Sequence, residues 1–310
     1  MSNPLKYANP AYVFFQSQLR NHPTRQRPDT PDFPGSFPFS QPIWRDKDWP
    51  DAHVHGWAAH ADDRRGTLIA AHGFLASSHQ NGLVRLARHA HKLGWSVALP
   101  DLRMHGRSHD ACPGLGIPES EDLRAVLDWL IEDGFPSPYV VAGYSLGALA
   151  ASNLCARDDR VSGGLFLSAP AWPWDATGIH AMVAAPLGVF INAWYGRDVL
   201  GEGDLRRLGA APRKPVVYAI GADDRYGVEH LRTVFRSSCW GGGDEMFVHR
   251  GRMKSLNWTK GSNLFIECDG ADHSLDFDDY PTVVQALDEL LARVVPATRS
   301  PATSSRRKRL

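Results

Sequence analysis

The sequence predicts an α/β fold, a mostly parallel sheet with helices on both faces, and two observations carry that expectation. Short β-rich apolar runs alternate along the chain with amphipathic helical patterns, and at 310 residues with 43% hydrophobic content the chain can bury one large continuous core. Six runs, TLIAAHG, WSVALPD, YVVAGYS, GLFLSAP, PVVYAIG and NLFIECDG, each read as a buried strand leading into a loop. Among the helices, the one after Glu119 places Leu123, Val126, Leu127, Leu130 and Ile131 on one face. The last helix does the same with Val283, Leu287, Leu290, Leu291 and Val294. Both are expected to lie flat on the sheet.

Composition divides the chain into three parts. Residues 1–42, rich in Pro, Asn, Gln and Ser, read as an irregular leader; 43–295 as the folded domain; and 296–310, ending in Arg306, Arg307, Lys308 and Arg309, as a disordered basic tail. The apolar run from Ala11 to Phe15 is shorter than the roughly 7–15 residues of an export signal. The stretch from Ala181 to Trp194 is broken by Pro186, Gly188 and Asn192 and falls short of the ~20 residues that span a bilayer, so no transmembrane segment is expected. Lys+Arg and Asp+Glu both number 34, and this balance does not suggest a nucleic-acid partner. The four cysteines, Cys112, Cys155, Cys239 and Cys268, form no Cys-x-x-Cys pair, so free thiols and a cytoplasmic location are expected. None of the 14 histidines forms a cluster at metal-ligand spacing; no metal and no cofactor is expected.

The chemistry concentrates in a few short segments. Gly143, Tyr144, Ser145, Leu146 and Gly147 form a G-x-S-x-G between a β-branched run and an Ala/Leu-rich helical run. A reversal that tight strains the central serine and requires small residues two places to either side. A serine hydroxyl is a poor nucleophile near neutral pH, so it needs a base, an orienting acid and donors for the oxyanion. His72, Gly73 and Phe74 follow a strand, where the Phe74 N–H can serve as one donor and the Leu146 N–H as the other. His72 itself reads as a structural histidine beneath the loop. In DLRMHGRS, Asp101, His105, Gly106 and Ser108 are expected to brace the loops rather than to react.

The order of these segments, followed by a late Gly-x-x-Asp and a final Gly-x-x-His, resembles the α/β-hydrolase superfamily over roughly residues 50 to 295. Within it, the HGxxxxS loop and the D-x-R-x-H-G-x-S segment are similar to the esterase, monoacylglycerol-lipase and proline-aminopeptidase-like branch. The resemblance implies that fold and a triad of Ser145, an aspartate and His273. In YAIGADDRYG the family's spacing falls on Asp224, with Asp223 one residue away as the alternative and Asp175, after GLFLSAP, as a third. His273 stands at the family's Gly-x-x-His, and the chain order Ser, Asp, His is the one this fold uses.

The interval 171–213 is longer than a plain crossover needs and carries Trp172, Trp174, Met182, Phe190, Trp194 and Tyr195. A small helical lid is expected there. Its aromatic face would either contact substrate, through Trp172 and Trp194, or dock the insertion on the domain. The segment 239–262 reads as a long loop to which no role attaches. The resulting expectation is a serine hydrolase that cleaves the carboxylic ester of a small, hydrophobic substrate through an acyl-enzyme. Thioester or amide hydrolysis and acyl transfer use the same machinery, and a non-catalytic binding protein on this fold is the rival from another class.

Overall fold

The computed structural model describes residues 8–19, 22–23, 28–43, 52–172, 181–205, 214–224, 231–232, 235, 256, 258 and 263–295. Trp174 and Asp175, most of the 239–262 segment, and the tail from 296 lie outside these residues.

The six apolar runs form the parallel part of an eight-stranded sheet. They are β3 (Thr67–Ala71), β4 (Ser96–Pro100), β5 (Tyr139–Tyr144), β6 (Val161–Leu167), β7 (Val216–Gly221) and β8 (Asn263–Cys268). Two antiparallel strands, β1 (Phe37–Pro42) and β2 (His53–Ala59), extend one edge, and the sheet order is β1-β2-β4-β3-β5-β6-β7-β8. Side chains of the central strands alternate between two cores: Leu68, Ala70, Val140 and Ala142 face one, Ile69, Ala71 and Val141 the other. Such strands must be apolar throughout, which is why they were readable as continuous runs.

On one face lie α2 (Asn81–Lys92) and α7 (Pro281–Val294); on the other lie α3 (Ile117–Glu132) and α4 (Leu146–Arg157). In α3, Leu123, Val126, Leu127 and Leu130 are buried as the periodicity predicts, but Ile131 is 38% exposed. It lies one residue beyond the buried stripe, about 100° further round the helix. In α7, Val294 is only half-buried.

The expected irregular leader, 1–42, needs correcting. It contains α1 (Pro10–Leu19), in which Ala11, Tyr12, Phe15 and Leu19 are buried, and the edge strand β1. Pro38 and Pro42 disguise β1 as irregular chain, and an edge strand is where the sheet tolerates missing donors. The interval 171–213 contributes α5 (Ala181–Tyr195) and the short α6 (Val199–Gly203), and α1 packs against α5.

After β3 the chain crosses to β4 on one side and then returns to β5 on the other. At such a switch point the loops leaving the two central strands diverge and open a crevice beyond their carboxyl ends. The loops that leave β3 and β5 there are those of Gly73 and Ser145.

Candidate active site

Ser145 occupies the sharp turn between β5 and α4 with φ 49° and ψ −114°, a conformation that L-residues avoid. Two contacts hold it there. A Cβ on Gly143 would stand 2.4 Å from the Gly147 carbonyl, and one on Gly147 would stand 2.3 Å from the Ala71 oxygen. Only glycine lets α4 start this close to β5 and β3.

His273 reaches the serine from the loop after β8. Its Nε2 lies 2.8 Å from Ser145 Oγ, and its Nδ1 lies 2.8 Å from Asp224 Oδ2. A carboxylate can only accept, so Nδ1–H donates to Asp224 and Nε2 is left to accept from the hydroxyl. The Asp224 side chain is 1% exposed, whereas neighbouring Asp223 turns its side chain to solvent. The loops of acid and base are joined through the backbone: Ala222 N–H donates to Cys268 O at 2.9 Å and Asp223 N–H to Ala271 O at 2.9 Å. A Cβ on Gly221 would stand 2.3 Å from the Ala271 oxygen, so this close approach also depends on glycine.

The loop after β3 passes beside the serine; a Cβ on Gly73 would stand 3.5 Å from Ser145 Cβ. Its amides are assigned one by one. Gly73 N–H donates to Gln80 Oε1 at 3.0 Å, Leu75 N–H to His105 Nε2 at 3.3 Å, and Ala76 N–H to Gly73 O at 3.2 Å. Phe74 N–H has no acceptor among the described residues, and neither has Leu146 N–H at the start of α4, where a helix leaves its first amides unpaired. Two amides flanking the serine are therefore available to a developing negative charge.

Beneath this loop, the His72 ring is fully buried between two backbone groups. Nδ1 lies 2.7 Å from Gly73 O and Nε2 accepts from Leu102 N–H at 3.0 Å, so the ring is neutral and its tautomer is set. Burial depresses its pKa to about 4, against a smaller opposing effect of the Gly73 carbonyl. Asp101 braces the same region by accepting from Ser78 N–H at 2.7 Å and Arg107 N–H at 3.1 Å, while Ser108 Oγ donates to Asp101 O at 2.6 Å.

The aromatic side chains of the insertion have several different environments. Trp194 is buried and stacks on Tyr12 of α1, with centroids 4.9 Å apart and planes 6° from parallel. One of the surfaces it meets is therefore helix α1 of the same chain. Trp172 is partly buried against the core beneath the insertion. Phe190 is 38% exposed, and Tyr195 points inward, where its hydroxyl donates to Cys112 O and accepts from Arg103 Nη1 at 2.8 Å.

Several contributors escaped the sequence reading. Gln80 gave no signal, being one polar residue before a helix. The buried pair of Arg103 with Asp122, 2.6 Å apart, anchors α5 through Tyr195; Arg103 lies within DLRMHGRS, but Asp122 looks like a polar residue on a solvated helix face. Phe15, in the leader, meets Phe74 edge-on at 5.8 Å.

Comparison with known proteins agrees with this architecture. An esterase of Pyrococcus furiosus, Pf2001, superposes with a TM-score of 0.61 at 21% identity, covering 84% of this chain and 93% of its own. XC6422 of Xanthomonas campestris, an α/β serine hydrolase without a lid, gives 0.54 at 18% identity over 88% of this chain and all of its own. Est1E of Butyrivibrio proteoclasticus, solved with ferulic acid bound, gives 0.58 at 15% identity over 79% of this chain and 96% of its own. At these identities the likeness is one of fold. A Synechocystis sp. protein named as an esterase, slr0264, is 33% identical over 99 residues, which is 30% of this chain and only 27% of that relative's length. The family model for serine aminopeptidase, S33, matches residues 62–237, more than half of the chain, and with the sheet order and the loops around Ser145 this shows that the protein belongs to the serine aminopeptidase S33 family of α/β hydrolases.

Proposed function

We propose that the protein is a serine carboxylic-ester hydrolase acting through an acyl-enzyme. The observation that carries this reading is the chain of two 2.8 Å contacts, Ser145 Oγ to His273 Nε2 and His273 Nδ1 to Asp224 Oδ2, which begins at a strained serine beside two free amides. In this reading Ser145 attacks the ester carbonyl while His273 takes its proton. The Asp224 carboxylate stabilises the imidazolium, and the Phe74 and Leu146 amides bind the oxyanion. Collapse of the tetrahedral intermediate expels the alcohol, protonated by His273. A water activated by the same histidine then releases the acid and restores the serine. Among the described residues the thiols are poor rivals of Ser145, since burial pushes Cys155 and Cys268 up to about 12 and raises Cys112 as well. Trp172 is the aromatic side chain that we retain as a candidate substrate contact, and a small hydrophobic ester is the substrate class we propose.

Ser145→Ala tests the reading. The variant is expected to fold, to lose hydrolysis of p-nitrophenyl esters and to resist labelling by a fluorophosphonate; retained turnover would overturn the assignment. A wild-type protein that neither turns over nor labels would favour the non-catalytic binding role. We also place the protein in the cytoplasm, a reading supported by Cys112, Cys155 and Cys268 being free thiols, and recovery in the exported fraction of the source cells would refute it.

A further inference from the structure

We infer that the N-terminal helix α1 positions the oxyanion loop, and that Phe15 is the residue through which it does so. The inference rests on the hydrolase reading of Ser145 and adds to it a part of the chain outside the matched family region, 62–237.

Phe74 supplies the amide of the β3 loop that, with Leu146 N–H, has no acceptor among the described residues and flanks Ser145, so the direction of that amide depends on what holds the residue. The hydrogen bonds of Gly73 and Leu75 fix the backbone on either side, and Leu75 adopts φ 60°, so the turn sits in a strained conformation that its surroundings must maintain. The Phe74 ring is held between two edge-on neighbours, Phe15 at 5.8 Å and His105 at 5.5 Å. His105 is itself tied to the loops by Nδ1, 2.8 Å from Arg103 O, and by Nε2, which accepts from Leu75 N–H. Phe15, the other contact, is fully buried.

Phe15 also connects the loop to the insertion. One helical turn before it, Tyr12 stacks on Trp194 of α5, and Asn9 Nδ2 donates to Phe190 O at 2.9 Å. Helix α1 therefore bridges α5 and the oxyanion loop. A positioning residue of this kind acts on the transition state, because a donor displaced by a fraction of an ångström still permits ground-state binding but meets the oxyanion poorly.

The test uses the full chain with p-nitrophenyl acetate, whose acyl group is too short to depend on a distant pocket. Phe15→Ala is expected to lower kcat about tenfold, less than the 10²–10³ for removing a donor outright, with KM changed by less than about twofold. Phe15→Leu, which keeps most of the burial, is expected to lower kcat about threefold and decides the matter if the alanine variant does not fold. Phe33→Leu, at a buried aromatic in the other core, should lose stability while keeping kcat. The pH profile of kcat/KM should be the same in wild type and both Phe15 variants, because the Ser145–His273–Asp224 contacts are untouched. Folded Phe15 variants with wild-type kcat, or a shifted pH profile, would overturn the inference. Ser145→Ala, measured alongside, separates the two ideas: if it is inactive while the Phe15 variants match wild type, only the role of α1 fails, and if it is active the site itself is wrong.

Discussion

Acid should destabilise this protein through His72, by an amount that its burial sets. In the folded protein the ring titrates near 4, whereas an exposed histidine titrates at 6.5. Between these values the unfolded chain binds a proton that the native state refuses. The stabilisation is thus complete above about pH 6.5, is lost as pH falls toward 4, and does not decline further below that. A gap of roughly 2.5 units at 1.36 kcal/mol each amounts to about 3 kcal/mol. The structural origin is specific: protonating Nε2 would set two donors, the ring N–H and the Leu102 N–H, against each other in a fully buried site. Urea unfolding of wild type and His72→Gln at several pH values between 7 and 4.5 measures the effect. The variant should be less stable at pH 7, having lost two well-made hydrogen bonds, and the difference should shrink by about 2–3 kcal/mol by pH 4.5. Taking the difference cancels the other titrating groups shared by the two proteins. Stability curves that stay parallel over this range would refute the argument.

Asp224→Asn should lower kcat by about three to four orders of magnitude, because an amide neither holds the productive tautomer nor stabilises the imidazolium, while Asp223→Asn should be nearly silent; steady-state kinetics giving the reverse ranking would move the acid to Asp223. Gly147→Ala drives a methyl to 2.3 Å from the Ala71 oxygen, so denaturant unfolding should show a loss of about 1–3 kcal/mol or more with a fall in activity as α4 retreats; an unperturbed variant would refute the steric need for glycine there. Trp194→Ala removes the ring stacked on Tyr12 and should cost about 3–5 kcal/mol in thermal or urea unfolding, with acyl-chain-length profiles parallel to wild type; a selective rise in KM for medium-chain esters would return Trp194 to the substrate pocket.

Much of the fold was legible because a doubly covered parallel sheet leaves a strong local trace. Strands such as YVVAGY and VVYAIG are buried on both faces and must be apolar throughout, and α3 and α7 must each carry a stripe. The strained turn at Ser145 left its mark too, since only glycine fits at 143 and 147. Edge elements leave weaker traces: β1 contains two prolines and pairs on one side only, and α1 groups its apolar residues in one run, Ala11–Phe15, rather than in a helical stripe, so its buried face shows only once its partners are known.

The amino-acid sequence by itself determined the order of the sheet-forming runs, the position of the glycine-flanked serine and the short list of its candidate partners, because each depends on steric or solvation demands within a few neighbouring residues. Only the tertiary structure decided which candidates meet. Asp223 and Asp224 are equivalent in composition, yet the turn after β7 buries one against His273 and exposes the other. For Trp194 the sequence left substrate contact and docking open, and its ring stacks on Tyr12, more than 180 positions away along the chain. Contacts between residues so distant carry no periodic signal, since they arise from how whole elements pack, and packing is a property of the assembled surfaces rather than of either segment alone.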